Sequence, residues 1–287
     1  MIEYPQNRHL PSKYIIEKLS EFYEEDIPGE DITTITTIPK KNRVQARIQT
    51  VEKLVFAGKE IIPLCFGKDC QVKIEPEDGE TLDKGHIIGE INGPAHLILS
   101  RERVMLNLIQ RLCGIATSAR QYAKLADPYN VKILDTRKTT PGLRLFEKYA
   151  VSIGGAYNHR LSLSDGILIK DNHIIAAGSV TKAIEYARNS NTNLPLELEV
   201  DNLDQIQEAL LIGVDGFLLD NMYVNKIRSA VSIIRKSNNG YDIFIEASGG
   251  INMENIYPYL DTGINAISVG ALTHRATSKD IRIDFIS

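Results

Sequence analysis

Apolar residues in the second half of the chain fall into six short runs, most of which close on a polar residue or a glycine. Ile133-Leu134 leads into Asp135-Thr136-Arg137-Lys138, and Gly166-Ile167-Leu168-Ile169 into Lys170-Asp171-Asn172-His173. Leu196-Glu197-Leu198-Glu199-Val200 carries its own acids, and Gly216-Phe217-Leu218-Leu219 ends at Asp220. Ile243 to Ala247 ends at Ser248-Gly249-Gly250, and Ala266 to Val269 at Gly270. Between them, Ser179 to Asn189 and Asn202 to Leu211 repeat apolar residues three and four apart, the helical period. Strand alternating with helix predicts parallel pairing through right-handed crossovers. In a parallel α/β barrel the strand ends converge on one face, which predicts that these polar ends meet.

The first half is patterned differently. Lys13 to Glu25 predicts an amphipathic helix with Tyr14, Ile15, Leu19, Phe22 and Tyr23 on one side, stopped by Pro28-Gly29-Glu30-Asp31. Val44 to Val51 alternates with period two, a strand with one wet face. Glu77 to Ile91 resembles half of a lipoyl- or biotin-carrier sandwich, but Lys84 lies inside the turn sequence and no second half follows, so a structural β-hairpin is the expectation. Ser100 to Leu112 predicts a helix, and the small residues of Leu112 to Ser118 predict a break that lets another backbone approach. The expected division is a domain over 1–115 and a barrel over 116–274, with 275–287 packing back on the first.

Composition narrows the class. With 43% hydrophobic and 24% charged residues in 287, the chain reads as an ordinary globular protein large enough for a full core. No apolar run reaches bilayer length and Met1 to His9 lacks a secretory pattern, so the expected location is cytoplasmic and no membrane partner is expected. Cys65, Cys70 and Cys113 lack metal or redox spacing and are expected to be reduced. A net charge of −4 argues against nucleic acid. Yet Arg103, Arg137, Lys138, His159, Arg160 and Lys170 gather at the motif-rich places, which points to a small polyanionic ligand.

The adjacent Arg137 and Lys138 offer a planar fork and a point charge, with Thr139-Thr140-Pro141-Gly142 adding hydroxyls and a turn. His159 beside Arg160 can hold an anion, move a proton or be a core histidine with both nitrogens satisfied, and its neighbours favour ligand binding. Lys170 at a strand end is either a Schiff-base nucleophile or a cation holding an anion, and the anionic-ligand setting favours the second. Glu199 and Asp220 should meet over the mouth and could take Mg²⁺ or ribose hydroxyls, while Glu197 shares the face of Glu199. Ser248-Gly249-Gly250 and Val269-Gly270-Ala271 suit a phosphate, with exposed N–H groups and a short helix starting at the turn.

At these residues the chain resembles the quinolinate phosphoribosyltransferase family. The likeness runs through Asp135 to Gly142, Gly155 to Arg160, Leu168 to His173, Glu197 to Asp201, Leu219-Asp220-Asn221, Glu246 to Ile251 and Ser268-Val269-Gly270, and reaches back to Gly29 to Thr33 and Glu102-Arg103-Val104. It implies an α/β protein: an amino-terminal α/β sandwich and an incomplete, TIM-like α/β barrel, paired as a homodimer with Arg103 donated to the neighbouring site. It implies that Arg137, His159, Arg160 and Lys170 hold the carboxylates of quinolinate. Lys138, Glu199 and Asp220, the catalytic candidates, would face phosphoribosyl pyrophosphate and its Mg²⁺, with Glu199 and Asp220 as metal ligands. Ser248, Gly249, Gly250, Gly270 and Ala271 would take the 5′-phosphate, and Thr136 and Val269 join the substrate-binding set. Cys113 stands where the resemblance leads one to expect a smaller residue, often serine. The implied reaction is decarboxylating transfer of phosphoribose to quinolinate, giving nicotinate mononucleotide in NAD biosynthesis. The rivals are a nicotinate-specific relative, a Schiff-base aldolase using Lys170, and a carrier module modified at Lys84.

Overall fold

All six apolar runs are strands of one parallel sheet. In the computed structural model, which describes residues 2–190 and 192–286, they are β1 (Lys132–Leu134), β2 (Ile167–Ile169), β3 (Leu196–Val200), β4 (Gly216–Asp220), β5 (Phe244–Ser248) and β6 (Ala266–Ser268). Their order across the sheet is β1-β6-β5-β4-β3-β2. β1 and β2 are its two edges, so the barrel is open between them, and the segment around Tyr157 lies beside β1 as an isolated parallel bridge to Leu134. Asp135 holds this segment down: its buried carboxylate accepts from the His159 N–H at 2.8 Å and the Asn158 side-chain amide at 2.7 Å. Asp135 thus acts as a clamp rather than as one of the converging polar ends.

The sheet belongs to a unit comprising residues 1–6, 121–144 and 156–274. Helices Val180–Arg188 and Leu203–Ile212 start where a side-chain oxygen can satisfy an orphan N–H: Ser179 accepts from Lys182 at 3.1 Å and Asn202 from Gln205 at 3.0 Å. Alternate strand residues point inward in layers. The lowest layer is apolar, with Ile2, Tyr4, Leu134, Phe244 and Ala266 forming one buried cluster. Gly216 is small there for a reason, since a Cβ would lie 2.7 Å from Ile2.

The second unit comprises residues 7–120, 145–155 and 275–287. Its main sheet is antiparallel, with Arg43–Thr50 flanked by Ile281–Ile286 and Ile87–Pro94, and Gln71–Ile74 outside the latter. The helix expected over 13–25 is Ser12–Asp26. Two expectations fail. The Glu77 to Ile91 segment is not a hairpin: Thr81–Leu82 pairs with Leu54–Val55, while Ile87–Pro94 joins the larger sheet. Lys84 is an exposed turn residue between them.

The helix expected to break after Leu112 instead runs unbroken over Ala95–Ala126. Gly114 does allow a close backbone approach, since a Cβ there would sit 2.2 Å from the Thr277 carbonyl. An interior glycine costs a helix only about 1 kcal/mol, which burial of Ile109, Leu112, Ile115 and Ala116 outweighs. Cys65, Cys70 and Cys113 are free and buried, and burial pushes the Cys65 and Cys113 thiols up to about 12. Among the described residues no helix is long and apolar enough to cross a membrane.

Candidate active site

A cavity of about 620 Å³ opens at the carboxyl ends of the parallel strands. Thr136, Arg137 and Lys138 reach it from the end of β1, His159 and Arg160 from the segment in the barrel's gap, and Lys170 from the end of β2. Glu199 comes from β3, Asp220 from β4, and Ser248, Gly249 and Gly250 from the end of β5. Residues scattered over more than a hundred positions thus share one wall because every strand runs the same way.

Arg137 and Arg160 crowd one another, while Lys170 is ion-paired. Arg160 is nearly buried and donates to the Gly166 carbonyl at 2.9 Å. Desolvation, then the neighbouring Arg137, push its guanidinium below the ordinary arginine range. Arg137 itself has a buried Nε with no partner. Two guanidiniums this close, with a donor unspent, form a receptor for an anion. Lys170 is paired with Glu199. That contact is the geometry of an ammonium held among charges rather than of a free amine nucleophile.

The glycine turn is constrained. Gly249 has φ +96°, and a Cβ there would lie 2.2 Å from the Asn221 side-chain oxygen. Asn221, itself at φ 51°, donates its backbone N–H to the Ser248 carbonyl at 2.9 Å and its side-chain amide to Asp220 at 2.7 Å. The expected short helix follows β6, where Ala271–His274 begins directly after Gly270. After β5 there is none: the chain loops on to Tyr257–Leu260, so Gly249 and Gly250 offer backbone without a helix behind it.

Not every candidate lines the cavity. Val269 is buried, and its N–H is spent on the Leu134 carbonyl. Gly270 and Ala271 lie outside the lining, but a Cβ on Gly270 would meet the Lys138 stem at 3.0 Å, so the glycine gives that lysine room. Arg103 belongs to the other unit and is exposed on its helix. The choice between Glu197 and Glu199 is resolved by depth: Glu199 lines the cavity, while Glu197, one alternation lower on β3, does not.

Five lining residues were absent from the candidate set: Leu168, Leu218, Asn221, Glu246 and Ser268. Period two could have found four of them, since Leu168, Leu218, Glu246 and Ser268 share inward parity with Lys170, Asp220, Ser248 and Gly270. Below the cations, His159 stands with Glu197 and Glu246. Its Nε2 is 3.4 Å from a Glu197 oxygen and 3.5 Å from a Glu246 oxygen, and both acids are fully buried. Its Nδ1 accepts the Arg160 N–H at 2.7 Å. Both ring nitrogens therefore face protein, and the ring stacks on Tyr4 at 4.7 Å. Desolvation raises the Glu197 and Glu246 carboxyls to about 7 each.

Two domain models of one family match this chain. The quinolinate phosphoribosyl transferase N-terminal domain matches residues 31–113 and its C-terminal domain residues 115–284. The probable nicotinate-nucleotide pyrophosphorylase [carboxylating] of Bacillus subtilis is 42% identical over 270 residues, 93% of this chain and 91% of that protein. The nicotinate-nucleotide pyrophosphorylase [carboxylating] of Mycobacterium leprae is 40% identical over 261 residues, covering 89% of this chain and 91% of its own. The solved structure of the nicotinate-nucleotide pyrophosphorylase from Francisella tularensis superposes with a TM-score of 0.92 at 34% identity, covering 99% of this chain and all of that one. The chain therefore belongs to the quinolinate phosphoribosyltransferase family.

Proposed function

We propose that this cavity is where the chain transfers the phosphoribosyl group of phosphoribosyl pyrophosphate to quinolinate, releasing pyrophosphate and CO₂ and leaving nicotinate mononucleotide for NAD biosynthesis. The supporting observation is that Arg137 and Arg160 line one cavity wall, where the repulsion of Arg137 on the Arg160 guanidinium outweighs the separate pull of Glu197 or of Asp165. Quinolinate carries two carboxylates on adjacent ring carbons, and a dianion of that shape relieves the repulsion between two crowded guanidiniums. Lys170 adds a third cation. The apolar Leu168 and Leu218 offer a surface for the ring between the charged groups.

Ribosyl transfer develops positive charge on the anomeric carbon as pyrophosphate departs. Glu199 and Asp220, on adjacent strands and both lining the cavity, face the sugar and favour that charge, while Lys138 offers its ammonium to the departing oxygens. Glu199 and Asp220 are also hard-oxygen donors in a cavity otherwise rich in cations, which fits Mg²⁺ arriving with its phosphates. When bound, that ion supplies charge neutralisation to the leaving group. The Ser248-Gly249-Gly250 turn, where a side chain at Gly249 would collide with Asn221, receives the 5′-phosphate on its backbone. Thr136, whose hydroxyl accepts the Lys138 N–H at 3.0 Å, shapes the loop that carries Arg137 and Lys138. His159 contributes a ring wall and a buried proton network, since neither of its nitrogens is turned outward. Once the pyridine nitrogen is ribosylated, the ring draws electrons from the carbon beside it, and decarboxylation needs no covalent enzyme intermediate.

Arg103, exposed on its helix, carries a cation that a neighbouring copy could use, so the working assembly is read as a homodimer. The buried, unpaired cysteines fit a reducing compartment, the cytoplasm. The test is to incubate the protein with Mg²⁺, phosphoribosyl pyrophosphate and either quinolinate or nicotinate, following mononucleotide and CO₂. Product from quinolinate only is the expected result; product from nicotinate at an equal rate removes the dianion argument.

A further inference from the structure

Loss of CO₂ from ring carbon 2 leaves an electron pair on that carbon, and a proton must replace the lost group. None of the roles above supplies it. Arginines do not give up protons at neutral pH. Lys170 is engaged with Glu199, and Asp220 accepts from Asn221 at the rim. His159 is no better placed: with Nδ1 accepting the Arg160 N–H, its neutral-state proton sits on Nε2, turned toward Glu197 and Glu246.

Glu246 remains. It is fully buried yet lines the cavity, and its carboxylate is only loosely engaged, with His159 Nε2 3.5 Å away and the Ser268 hydroxyl nearby. It lies one alternation below Ser248 on β5, level with Leu218 on β4, at the depth where the ring of a substrate gripped by the cations above would rest. The same trio could be read as a metal cluster, because one atom of each of His159, Glu197 and Glu246 lies within 4.8 Å of the others. The histidine argues against that. A metal on Nε2 requires the ring proton on Nδ1, and Nδ1 already accepts a backbone N–H. The cluster is built to hold protons.

We infer that Glu246 is the acid that protonates ring carbon 2 of the ribosylated intermediate as CO₂ departs. The inference rests on the quinolinate reading of the cavity. In the step, the bond from carbon 2 to its carboxylate breaks and the pair stays on carbon 2. The Glu246 O–H breaks as the new C–H bond forms, Glu246 is left as a carboxylate, and solvent reprotonates it when product leaves.

The groups facing Glu246 act in both directions. Burial and then Glu197 on β3 raise its carboxyl to about 7, while His159 in the gap, Ser268 on β6 and Lys170 after β2 pull it down. A substantial fraction is therefore the acid at neutral pH, and the rate of the decarboxylating step falls as pH rises past that range.

The test begins with the unaltered protein. In single turnovers with phosphoribosyl pyrophosphate, Mg²⁺ and quinolinate, mononucleotide formation is expected to slow as pH rises above about 7 and to slow further in D₂O. A rate flat from pH 6 to 9 overturns the inference. E246Q keeps the shape but has no acidic proton. Its kcat is expected to fall about 10²- to 10³-fold, with the KM values for both substrates within about threefold and the alkaline decline gone. A kcat within about threefold of the parent, or a reduced kcat that keeps the alkaline decline, overturns it. E246D retains an acid and is expected to recover part of the loss; equal impairment of both variants assigns Glu246 to packing and overturns the proposal. If the parent protein does not turn over quinolinate at all, the reading of the cavity has failed instead.

Discussion

The rim and the floor of the cavity use charge in opposite ways. At the rim Arg137, Lys138 and Lys170 sit on strand ends, part-exposed or exposed, and Asp220 is already satisfied by Asn221. Inside β3 and β5, Glu197 and Glu246 have no exposure, and burial raises their carboxyls to about 7. The rim is thus a set of fixed charges that selects and grips an anion. The floor is a set of groups whose charge depends on whether a proton is present. The grip comes from the ends of β1 and β2 and the acids from within β3 and β5, so one parallel sheet brings proton-holding groups and a charged grip to the same cavity.

The sharpest way to break that contrast is at the rim. Arg137→Ala removes one of two crowded guanidiniums, and a charge-assisted contact of this kind is worth about 2–5 kcal/mol. Steady-state kinetics with quinolinate are expected to show kcat/KM down by roughly 10² or more, and a variant within threefold of the parent would remove Arg137 from the site. Gly249→Val acts on the phosphate side. With φ at +96° and Asn221 in the way, it costs about 1–3 kcal/mol of local strain, expected as a raised KM for phosphoribosyl pyrophosphate with quinolinate KM little changed.

A smaller effect separates the floor's support from the floor itself. Asp135→Asn replaces a buried acceptor of two N–H groups with one that can serve only one of them well. About 1–3 kcal/mol of stability should go, measured as a lower denaturant midpoint at unchanged m.

The smallest effect is a slope. Glu197 and Glu246 keep their protons in the folded protein at pH values where the unfolded chain has lost them. Stability should therefore fall as pH rises from the ordinary carboxylate range through about 7 and level off above it. Thermal melts of the ligand-free protein from pH 5 to 8 read this directly, and Glu197→Gln should flatten the decline. A melting temperature that rises across that interval would mean the floor acids are ionised.

The two units differ in how much their sequence reveals. β1 to β6 are legible because a strand buried in a parallel sheet is a local apolar run, and because parallel direction alone sends Arg137, Lys170, Glu199 and Asp220 to one face. The antiparallel sheet is not legible in that way. Arg43–Thr50 finds its partner in Ile281–Ile286, and the apparent hairpin over Glu77 to Ile91 splits between two sheets, because pairing there is decided by residues far away in the chain. Gly114 misled for a related reason: its backbone contact with Thr277 was anticipated, but burial along Ala95–Ala126 keeps the helix whole.

Within the site, strand-end charges were visible and the deeper layer was not. Glu246 sits inside an apolar run that ends in Ser-Gly-Gly, and the turn drew attention from the acid two residues before it. From its place beside Arg160, His159 could have held an anion, moved a proton or been a core histidine. Only the three-dimensional arrangement reveals that Arg160 itself, through its N–H, occupies one ring nitrogen and that two acids face the other.

The most direct test of the central claim is calorimetric titration of quinolinate into the parent protein and into Arg160→Gln at fixed ionic strength. The paired guanidiniums predict saturable binding by the parent and an affinity at least about tenfold weaker in the variant, the equivalent of 1.4 kcal/mol. Equal dissociation constants would mean that the dianion is held elsewhere.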